Sequence, residues 1–493
     1  MWDMSAVGYR RLGAAGAVAV AAGGWAAGSL PARDPWGLWV PHGTATTVAA
    51  AVLAYAGLTL LIAAWWGYGR AAREVPVRET LRTLGWWAGP LLLAPPLYSA
   101  DVYSYIAQGA MVLEGHDVYG AGPSVLDPDG LGGDAAASVG GHWTDTPAPY
   151  GPVFLVLAQA VAWGTGGTIV PAVLGMRLIA VGALALTVWA LRSLARDRGG
   201  SESAALWLGA LNPLLLIHVV GGVHNDGLMI ALMLAGVVCA LRGRWILGSA
   251  LVGLAAMVKS PAAVALLFIG VIVARAAAGP RARRLAGLAK GLLAPGLVAA
   301  AVAAAATLLT GTGFGWLRTQ GVAGTIHTAL SATSDLGLAL GELLHLLVGT
   351  DPAPVKAAVQ QLGLAAALAL IAYLAWRSLR GLLHPAHALG LALLALVALS
   401  PMVQPWYLLW GMAALAATAA PDSRVVGVLA VLSAALPYET QPSGHTPAYG
   451  FVLAGLVCVA GTWLVRRERR APVSSSYAAP TAPPARPCGG RPR

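Results

Sequence analysis

The chain has 493 residues, of which 58% are hydrophobic and only 10% carry a charged side chain. Soluble domains contain about 25% charged residues, so this composition excludes an ordinary soluble protein. Apolar runs long enough to cross a bilayer recur along the chain, and they lack the short alternating pattern of barrel strands. The sequence therefore predicts an all-α polytopic membrane protein with about 14 transmembrane helices.

The net charge of +11 does not indicate nucleic-acid binding, because the basic residues are spread over loops rather than clustered on one motif. Three cysteines, Cys239, Cys458 and Cys488, form no recognisable disulfide framework. The chain contains no HExxH motif and no clustered acidic pair with the spacing of a strong metal site. We therefore expect no metal and no other cofactor.

The first apolar run, Leu12 to Leu30, is interpreted as an uncleaved helix, with a signal peptide as the alternative. A second run from Thr44 to Tyr68 is followed by a predicted loop with four arginines: Arg70, Arg73, Arg78 and Arg82. A third run begins at Gly85 and ends at Pro95 and Pro96.

No Lys or Arg lies between Thr83 and Met176, but seven acidic residues do. They are Asp101, Glu114, Asp117, Asp127, Asp129, Asp134 and Asp145. By the positive-inside rule, the arginine loop is cytoplasmic, and residues 98–152 form a first large outer loop. The run Val153 to Gly164 is too short to cross a core of about 30 Å, so we interpret it as a re-entrant or interfacial helix.

Apolar runs and basic clusters alternate along the rest of the chain, which assigns residues 1–465 to one integral membrane domain. Residues 311–354 are predicted to form a second outer loop, with an apolar piece on the membrane surface. Residues 466–493 are rich in Ser, Pro, Ala and Arg, and we expect a disordered basic tail in the cytoplasm.

Asp101 follows shortly after Pro95 and Pro96, at the predicted outer boundary of the membrane. If this segment is helical, Asp101, Tyr105 and Gln108 share one face, because they stand at positions i, i+4 and i+7. An acid, a phenol and an amide on one face suit the hydroxyls of a sugar. The alternative is a loop aspartate that caps an interfacial helix.

Other uncommon residues fall on the same predicted side. Lys259 stands between two apolar runs. An ammonium at this position suits a phosphate ligand. Alternatively, the side chain extends along the apolar surface so that its charge reaches the membrane interface. His224, Asn225 and Asp226 offer a base, an amide and a carboxylate, or simply a polar turn that begins a helix. Trp143, Trp406 and Tyr407 suit stacking on pyranose faces or the aromatic belt of a membrane protein.

Six short motifs in a fixed order carry a resemblance to a known family. They are Asp101-Val102-Tyr103-Ser104-Tyr105, Pro147-Ala148-Pro149-Tyr150-Gly151-Pro152, Asn212-Pro213, Gly222-Val223-His224-Asn225-Asp226, Val258-Lys259-Ser260-Pro261 and Gln404-Pro405-Trp406-Tyr407. In order and spacing this set resembles the actinobacterial polyprenol-phosphomannose-dependent α-1,6-mannosyltransferases of the GT-C superfamily. The resemblance covers the region from Gly85 to Tyr407.

The resemblance implies a GT-C-type fold in the plasma membrane and an active site on the extracytoplasmic side. It also implies a polyprenyl-phosphate mannose donor and an α-1,6-mannan acceptor of the lipomannan type in the cell envelope. The oligomeric state stays open. Rival readings are a transporter or flippase for a lipid-linked sugar, a membrane O-acyltransferase and a non-catalytic assembly partner.

Roles for individual residues follow from this reading. We expect Asp101 to be the general base of an inverting transfer, and Lys259, assisted by Arg177 or Arg318, to bind the donor phosphate. His224 and Asp226 would orient the acceptor or support Asp101. The full set expected to bind acceptor or sugar is Tyr105, Gln108, Trp143, Asp145, His224, Asn225, Asp226, Gln404, Trp406 and Tyr407.

Overall fold

The computed structural model of the chain describes residues 4–277, 280–322, 326 and 328–470. Within these residues the protein is all-helical, without a β-strand. In chain order the α-helices are α1 (Ala6–Ala27), α2 (Thr44–Ala71), α3 (Val77–Leu91), α4 (Asp101–Leu113), α5 (Gly133–Ser138), α6 (Pro152–Thr165), α7 (Ile169–Asp197), α8 (Glu202–Gly209), α9 (Pro213–Leu215), α10 (Asp226–Leu241), α11 (Trp245–Ala256), α12 (Val264–Ala276), α13 (Arg281–Thr310), α14 (Ala332–Val348), α15 (Pro352–Leu379), α16 (Pro385–Ala398), α17 (Leu408–Thr418), α18 (Arg424–Ala435) and α19 (Ala448–Arg470).

Five described helices are long and apolar enough to cross a membrane, namely α2, α7, α13, α15 and α19. A sixth span results if α8 and the segment from Pro213 to Gly221, which meet at an angle of 49°, are counted together. The protein is therefore a multi-pass membrane protein. The expected number of about 14 spans is not confirmed, because many apolar runs form helices of only 10–17 residues.

Polar or helix-breaking residues explain several of these short helices. Asn225 ends the stretch before α10, and Lys259 adopts an extended conformation between α11 and a 3₁₀ turn at Ser260–Ala263. Pro261 lies inside that turn, where its missing N–H prevents one continuous helix from α11 to α12. The same residues that divide the helices are the ones that carry the candidate chemistry.

The predicted arginine loop is shorter than expected. α2 ends at Ala71 and α3 begins at Val77 after the N-cap Pro76, so Arg78 and Arg82 lie inside α3. Glu79 in the first turn of α3 accepts from Arg10 at 2.7 Å, and it also pairs with Arg82. Pro76 directly before the helix and Glu79 in its first turn both favour a helix that begins at Val77, ahead of the apolar run that begins at Gly85.

The predicted outer loop of residues 98–152 is itself structured, with α4, α5 and two 3₁₀ turns. α6 begins at Pro152 and has 14 residues, which confirms a separate short helix after this loop. α4 packs closely on α6, because a Cβ added at Gly109 would lie 2.4 Å from the carbonyl oxygen of Ala158. The second predicted outer loop, residues 311–354, contains α14, which has 17 residues.

The first residues of the predicted tail belong to a helix instead. Residues 466–470 continue α19, and Glu468 there pairs with Arg70 at 2.6 Å. Arg469 donates to the carbonyl oxygen of Ser423 at 3.0 Å, so this end of α19 is tied to the neighbouring elements. The remaining tail, residues 471–493 including Cys488, lies outside the described residues.

Candidate active site

Asp101 is the first residue of α4, and the loop that leads to it is bonded to two distant parts of the chain. The Leu97 amide donates to Gly221 at 3.2 Å, and the Tyr98 amide donates to Pro442 at 2.8 Å. Tyr98 itself has a φ of 59°, a left-handed conformation that costs free energy for a residue with a Cβ. The loop is thus held in a conformation that it would not adopt alone.

The loop before His224 shows the same feature. It follows a π-helical turn, Leu216–Gly221, and Val223 has a φ of 60°. A β-branched residue with positive φ is a genuine outlier, and such strain together with π-helical turns gathers at functional sites. The backbone strain therefore marks the same two loops that carry Asp101 and His224.

Arg177 connects these two loops from within α7. Its guanidinium donates to the carbonyl oxygens of Leu92 (2.9 Å), Pro95 (3.1 Å) and Gly221 (3.3 Å), and also to that of Ala94. The side chain is 2% exposed, and all these acceptors are backbone atoms. Both terminal nitrogens of Arg177, Nη1 and Nη2, are thus used within the fold, although its buried Nε has no hydrogen-bond partner in the described structure. We therefore assign Arg177 to positioning the loops and no longer to the donor phosphate.

Asp101 and His224 meet at the end of these loops. The Nδ1 of His224 lies 3.3 Å from Oδ2 of Asp101, although the contact lacks hydrogen-bond geometry. The ring of His224 is buried and stacks on Trp406, with centroids 3.7 Å apart. The carboxylate of Asp101 remains 25% exposed. A fixed imidazole therefore lies behind a carboxylate that is open to a ligand.

Lys259 and Asp226 form a second charged pair. The ammonium of Lys259 donates to both carboxylate oxygens of Asp226, at 3.0 and 2.9 Å, and the indole of Trp410 donates to Oδ1 at 2.6 Å. Asp226 is fully buried, whereas the side chain of Lys259 is 17% exposed. The ammonium also lies 4.6 Å from the centroid of the Tyr407 ring, a cation–π contact that favours its charged form.

One cavity of about 410 Å³ contains both Asp101 and Lys259 in its wall. The other lining residues with polar or aromatic side chains are Trp143, Tyr150, Ser260, Thr319, Gln320, Ser400, Gln404, Trp406, Tyr407 and Trp410. A carboxylate, an ammonium and several aromatic rings thus face a common space. Aromatic faces suit the C–H surface of a sugar, and the amide of Gln404 suits its hydroxyls.

Both charged groups of this cavity have shifted pKa values, and both lie outside the five long apolar helices. Burial raises the pKa of Asp101, but the imidazole of His224 and the ammonium of Lys259 outweigh it and hold the pKa below its usual value. Burial lowers the pKa of Lys259, but the carboxylate of Asp226 outweighs it and raises the pKa to about 12. Asp101 and Lys259 are therefore both charged at neutral pH.

Five residues expected to bind sugar are buried behind the cavity rather than exposed in its wall, namely Tyr105, Gln108, His224, Asn225 and Asp226. α4 does place Tyr105 and Gln108 on the face of Asp101, but the Tyr105 ring packs edge-on against Tyr150 and Phe154, with centroids 5.4 and 4.8 Å away. Gln108 and Asn225 are buried, and their amide groups have atoms without a hydrogen-bond partner in the described structure. Of the predicted face, Asp101 alone lines the cavity.

Two further expected residues also lie elsewhere. Arg318 lines a neighbouring cavity of about 470 Å³, and Asp145 is exposed and accepts a hydrogen bond from Ser124 at 2.6 Å. Within the described part of the chain, no three His, Cys, Asp or Glu side chains are grouped so that they could hold a metal ion.

Comparison with known proteins identifies the family. A family model described as "Alpha-(1->6)-mannopyranosyltransferase, N-terminal domain" matches residues 10–275, and one described as "MptB C-terminal domain" matches residues 333–467. The chain belongs to this family. It is therefore a mannosyltransferase, which confirms the resemblance seen in the motifs and extends it beyond Gly85 and Tyr407 in both directions.

Relatives match this mannosyltransferase over most of its length. It is 35% identical to a probable alpha-(1->6)-mannopyranosyltransferase of Mycolicibacterium smegmatis, over 97% of this chain and 91% of the relative. It is 37% identical to an alpha-(1->6)-mannopyranosyltransferase of Mycobacterium tuberculosis, over 87% and 82%. It is 31% identical to alpha-(1->6)-mannopyranosyltransferase B of Corynebacterium glutamicum, over 93% and 82%. No solved structure matches the chain.

Sequence reasoning missed three residues of this mannosyltransferase that the structure brings to the site. Trp410 binds Asp226, Tyr150 lines the cavity, and His218 packs between Tyr98 and Trp406, with ring centroids 6.2 and 4.9 Å away. The helical spacing from Trp406 to Trp410 is the one signal that points to Trp410 in advance. Nothing local distinguishes His218, because its role depends on rings from other parts of the chain.

Proposed function

We propose that this enzyme transfers mannose from a polyprenyl-phosphate mannose donor to an α-1,6-mannan acceptor of the lipomannan type. The observation that carries the proposal is the joint presence of Asp101 and Lys259 in one cavity with aromatic walls. Transfer between a phosphate ester and a hydroxyl needs a base at one end and a cation at the other. The cavity supplies both.

Lys259 is the group we assign to the donor phosphate. The donor's leaving group is already a phosphate, so it needs charge stabilisation rather than protonation. The side chain of Lys259 is partly exposed, and Asp226 holds its ammonium in place through both carboxylate oxygens. An ammonium positioned in this way meets the charge that grows on the phosphate as the sugar leaves.

Asp101 is the group we assign to the acceptor. Its carboxylate takes the proton of the acceptor hydroxyl while that oxygen attacks the anomeric carbon and the bond to the phosphate breaks. A single displacement inverts the anomeric centre, so a β-linked donor yields an α-mannoside. The imidazole of His224 lies 3.3 Å from this carboxylate, and Trp406 fixes the imidazole by stacking on it.

The assay that tests this function uses the purified protein in proteoliposomes, which excludes donor conversion by other enzymes. We expect transfer from labelled polyprenyl-phosphomannose to a short α-1,6-mannoside and none from a nucleotide-activated mannose at the same concentration. A nucleotide donor that works while the lipid donor fails would contradict the proposed donor. Failure of both donors with several mannoside acceptors would contradict the proposed reaction.

We also propose that the cavity faces the extracytoplasmic side, because the stretch from Thr83 to Met176 contains seven acidic and no basic residues. In a variant whose three cysteines are replaced, Gly130→Cys should react with an impermeant thiol reagent in intact cells. Arg198→Cys should react only after the membrane is opened. The reverse pattern would place Asp101 in the cytoplasm and overturn this orientation.

A further inference from the structure

A second polar cavity lies beside the one that contains Asp101. It has a volume of about 470 Å³, and its wall includes His116 and Asp117 after α4, Gln159 of α6, and Thr312 and Arg318 after α13. The segment from Gly315 to Val322 joins the two cavities, because Arg318 lines the second one and Thr319 and Gln320 line the first. One short segment therefore has a face in each cavity.

The side chains of the second cavity suit hydroxyl groups rather than lipid tails. The amide of Gln159 and the guanidinium of Arg318 make no hydrogen bond or ion pair with any other described residue, so their donors are free for a ligand. Asp117 supplies a carboxylate, and Phe314, which is 52% exposed, supplies an aromatic face. A carboxylate beside a single cation disfavours an anionic ligand and favours a neutral polyol.

Close packing gives this cavity a defined shape. A Cβ added at Gly315 would lie 2.4 Å from Cβ of Tyr119, so the segment that both cavities share packs directly on the loop after α4. Gly311 and Gly313 both have positive φ values, 67° and 73°, which turn the chain from α13 into this segment. At Gly315 the wall of this cavity thus packs directly against the loop after α4.

We propose that the second cavity binds mannose units of the acceptor chain that lie beyond the unit being extended. This inference rests on the proposed function, since it assumes that a mannan end enters the cavity with Asp101. The neighbouring position of the two cavities allows one glycan chain to contact both. Gln159 and Arg318 donate to hydroxyl oxygens of the remote units, and Phe314 packs on a ring face. The enzyme accordingly prefers longer acceptors.

The test compares a dimannoside with a hexamannoside as acceptor, both α-1,6-linked, with saturating polyprenyl-phosphomannose and purified protein. Wild type should show a higher kcat/KM for the hexamannoside, mainly through a lower KM. Gln159→Ala and Arg318→Gln should each reduce that preference about tenfold. Each change removes one hydrogen bond to the acceptor, a neutral one for Gln159 and a charged one for Arg318, and a tenfold effect corresponds to about 1.4 kcal/mol. Arg244→Gln, a matched change at an exposed arginine before α11, should leave the preference unchanged.

The dimannoside reaction is the internal control for folding. A variant that lowers kcat/KM for both acceptors by the same factor would overturn the inference, as would a wild type without length preference. Transfer to the dimannoside with no length preference leaves the proposed function standing and removes only the second cavity's role. Absence of transfer to either acceptor overturns the proposed function and the inference together.

Discussion

Asp101→Asn should lower mannosyl transfer by about 10²–10⁴-fold, the usual contribution of a general base. The change removes the charge and the proton-accepting ability but keeps the shape of the side chain. Because the side chain lies at the cavity wall and is 25% exposed, the variant should fold normally. The loss should appear in kcat, measured with purified protein, the lipid donor and a short α-1,6-mannoside at saturating concentrations.

A second aspartate of the same predicted outer loop provides the control. Asp134 pairs with Arg33 at 2.9 Å, away from the cavity that contains Asp101. Asp134→Asn removes one partly exposed ion pair, worth about 1 kcal/mol or less, and should leave transfer within about twofold of wild type. If Asp101→Asn behaves like this control, the proton acceptor is another group and the mechanism proposed above is wrong.

The pH dependence of kcat/KM separates Asp101 from His224 as the base. In the folded enzyme the pKa of Asp101 is lowered, so the carboxylate takes up a proton only when the pH falls below its ordinary range, near about 4. Activity controlled by Asp101 should therefore stay constant from neutral pH down to about pH 5. A decline that sets in well above about pH 5 would show that a different group, such as His224, accepts the proton.

The sequence was a good guide to which segments carry chemistry and a poor guide to which side chains face the ligand. The helical face of Asp101, Tyr105 and Gln108 was predicted correctly, because a 3.6-residue period is a local property. The rings of Tyr150 and Phe154 cover Tyr105. This contact depends on tertiary packing, which the helical period of α4 does not predict.

Arg177 illustrates the same limit for charged residues. A lone arginine within an apolar helix suggests an anionic partner, and we expected Arg177 to bind the donor phosphate. Its acceptors are instead backbone carbonyls of two loops that lie 82 and 44 positions away along the chain. No sequence pattern marks a carbonyl as an acceptor, since every residue has one. The structure was needed to recognise Arg177 as the residue that holds Asp101 and His224 near each other.

Removing either partner of the Asp226–Lys259 ion pair should strongly destabilise the folded protein. Removing one partner of a buried ion pair leaves the other charge without compensation, which costs about 3–5 kcal/mol. Asp226→Asn and Lys259→Met should each lower the free energy of unfolding in detergent by this order. The exposed pair of Asp197 and Arg242 is the matched control: Asp197→Asn should cost less than about 1 kcal/mol.

Combining the two changes separates stability from catalysis. The double variant carries no uncompensated charge at this site, so its loss of stability should be clearly smaller than the sum of the two single losses. Transfer should nevertheless stay low, because Lys259 is assigned to the donor phosphate and methionine cannot stabilise developing charge. A double variant that regains wild-type transfer would show that the pair is purely structural. The cation for the phosphate would then have to come from another residue.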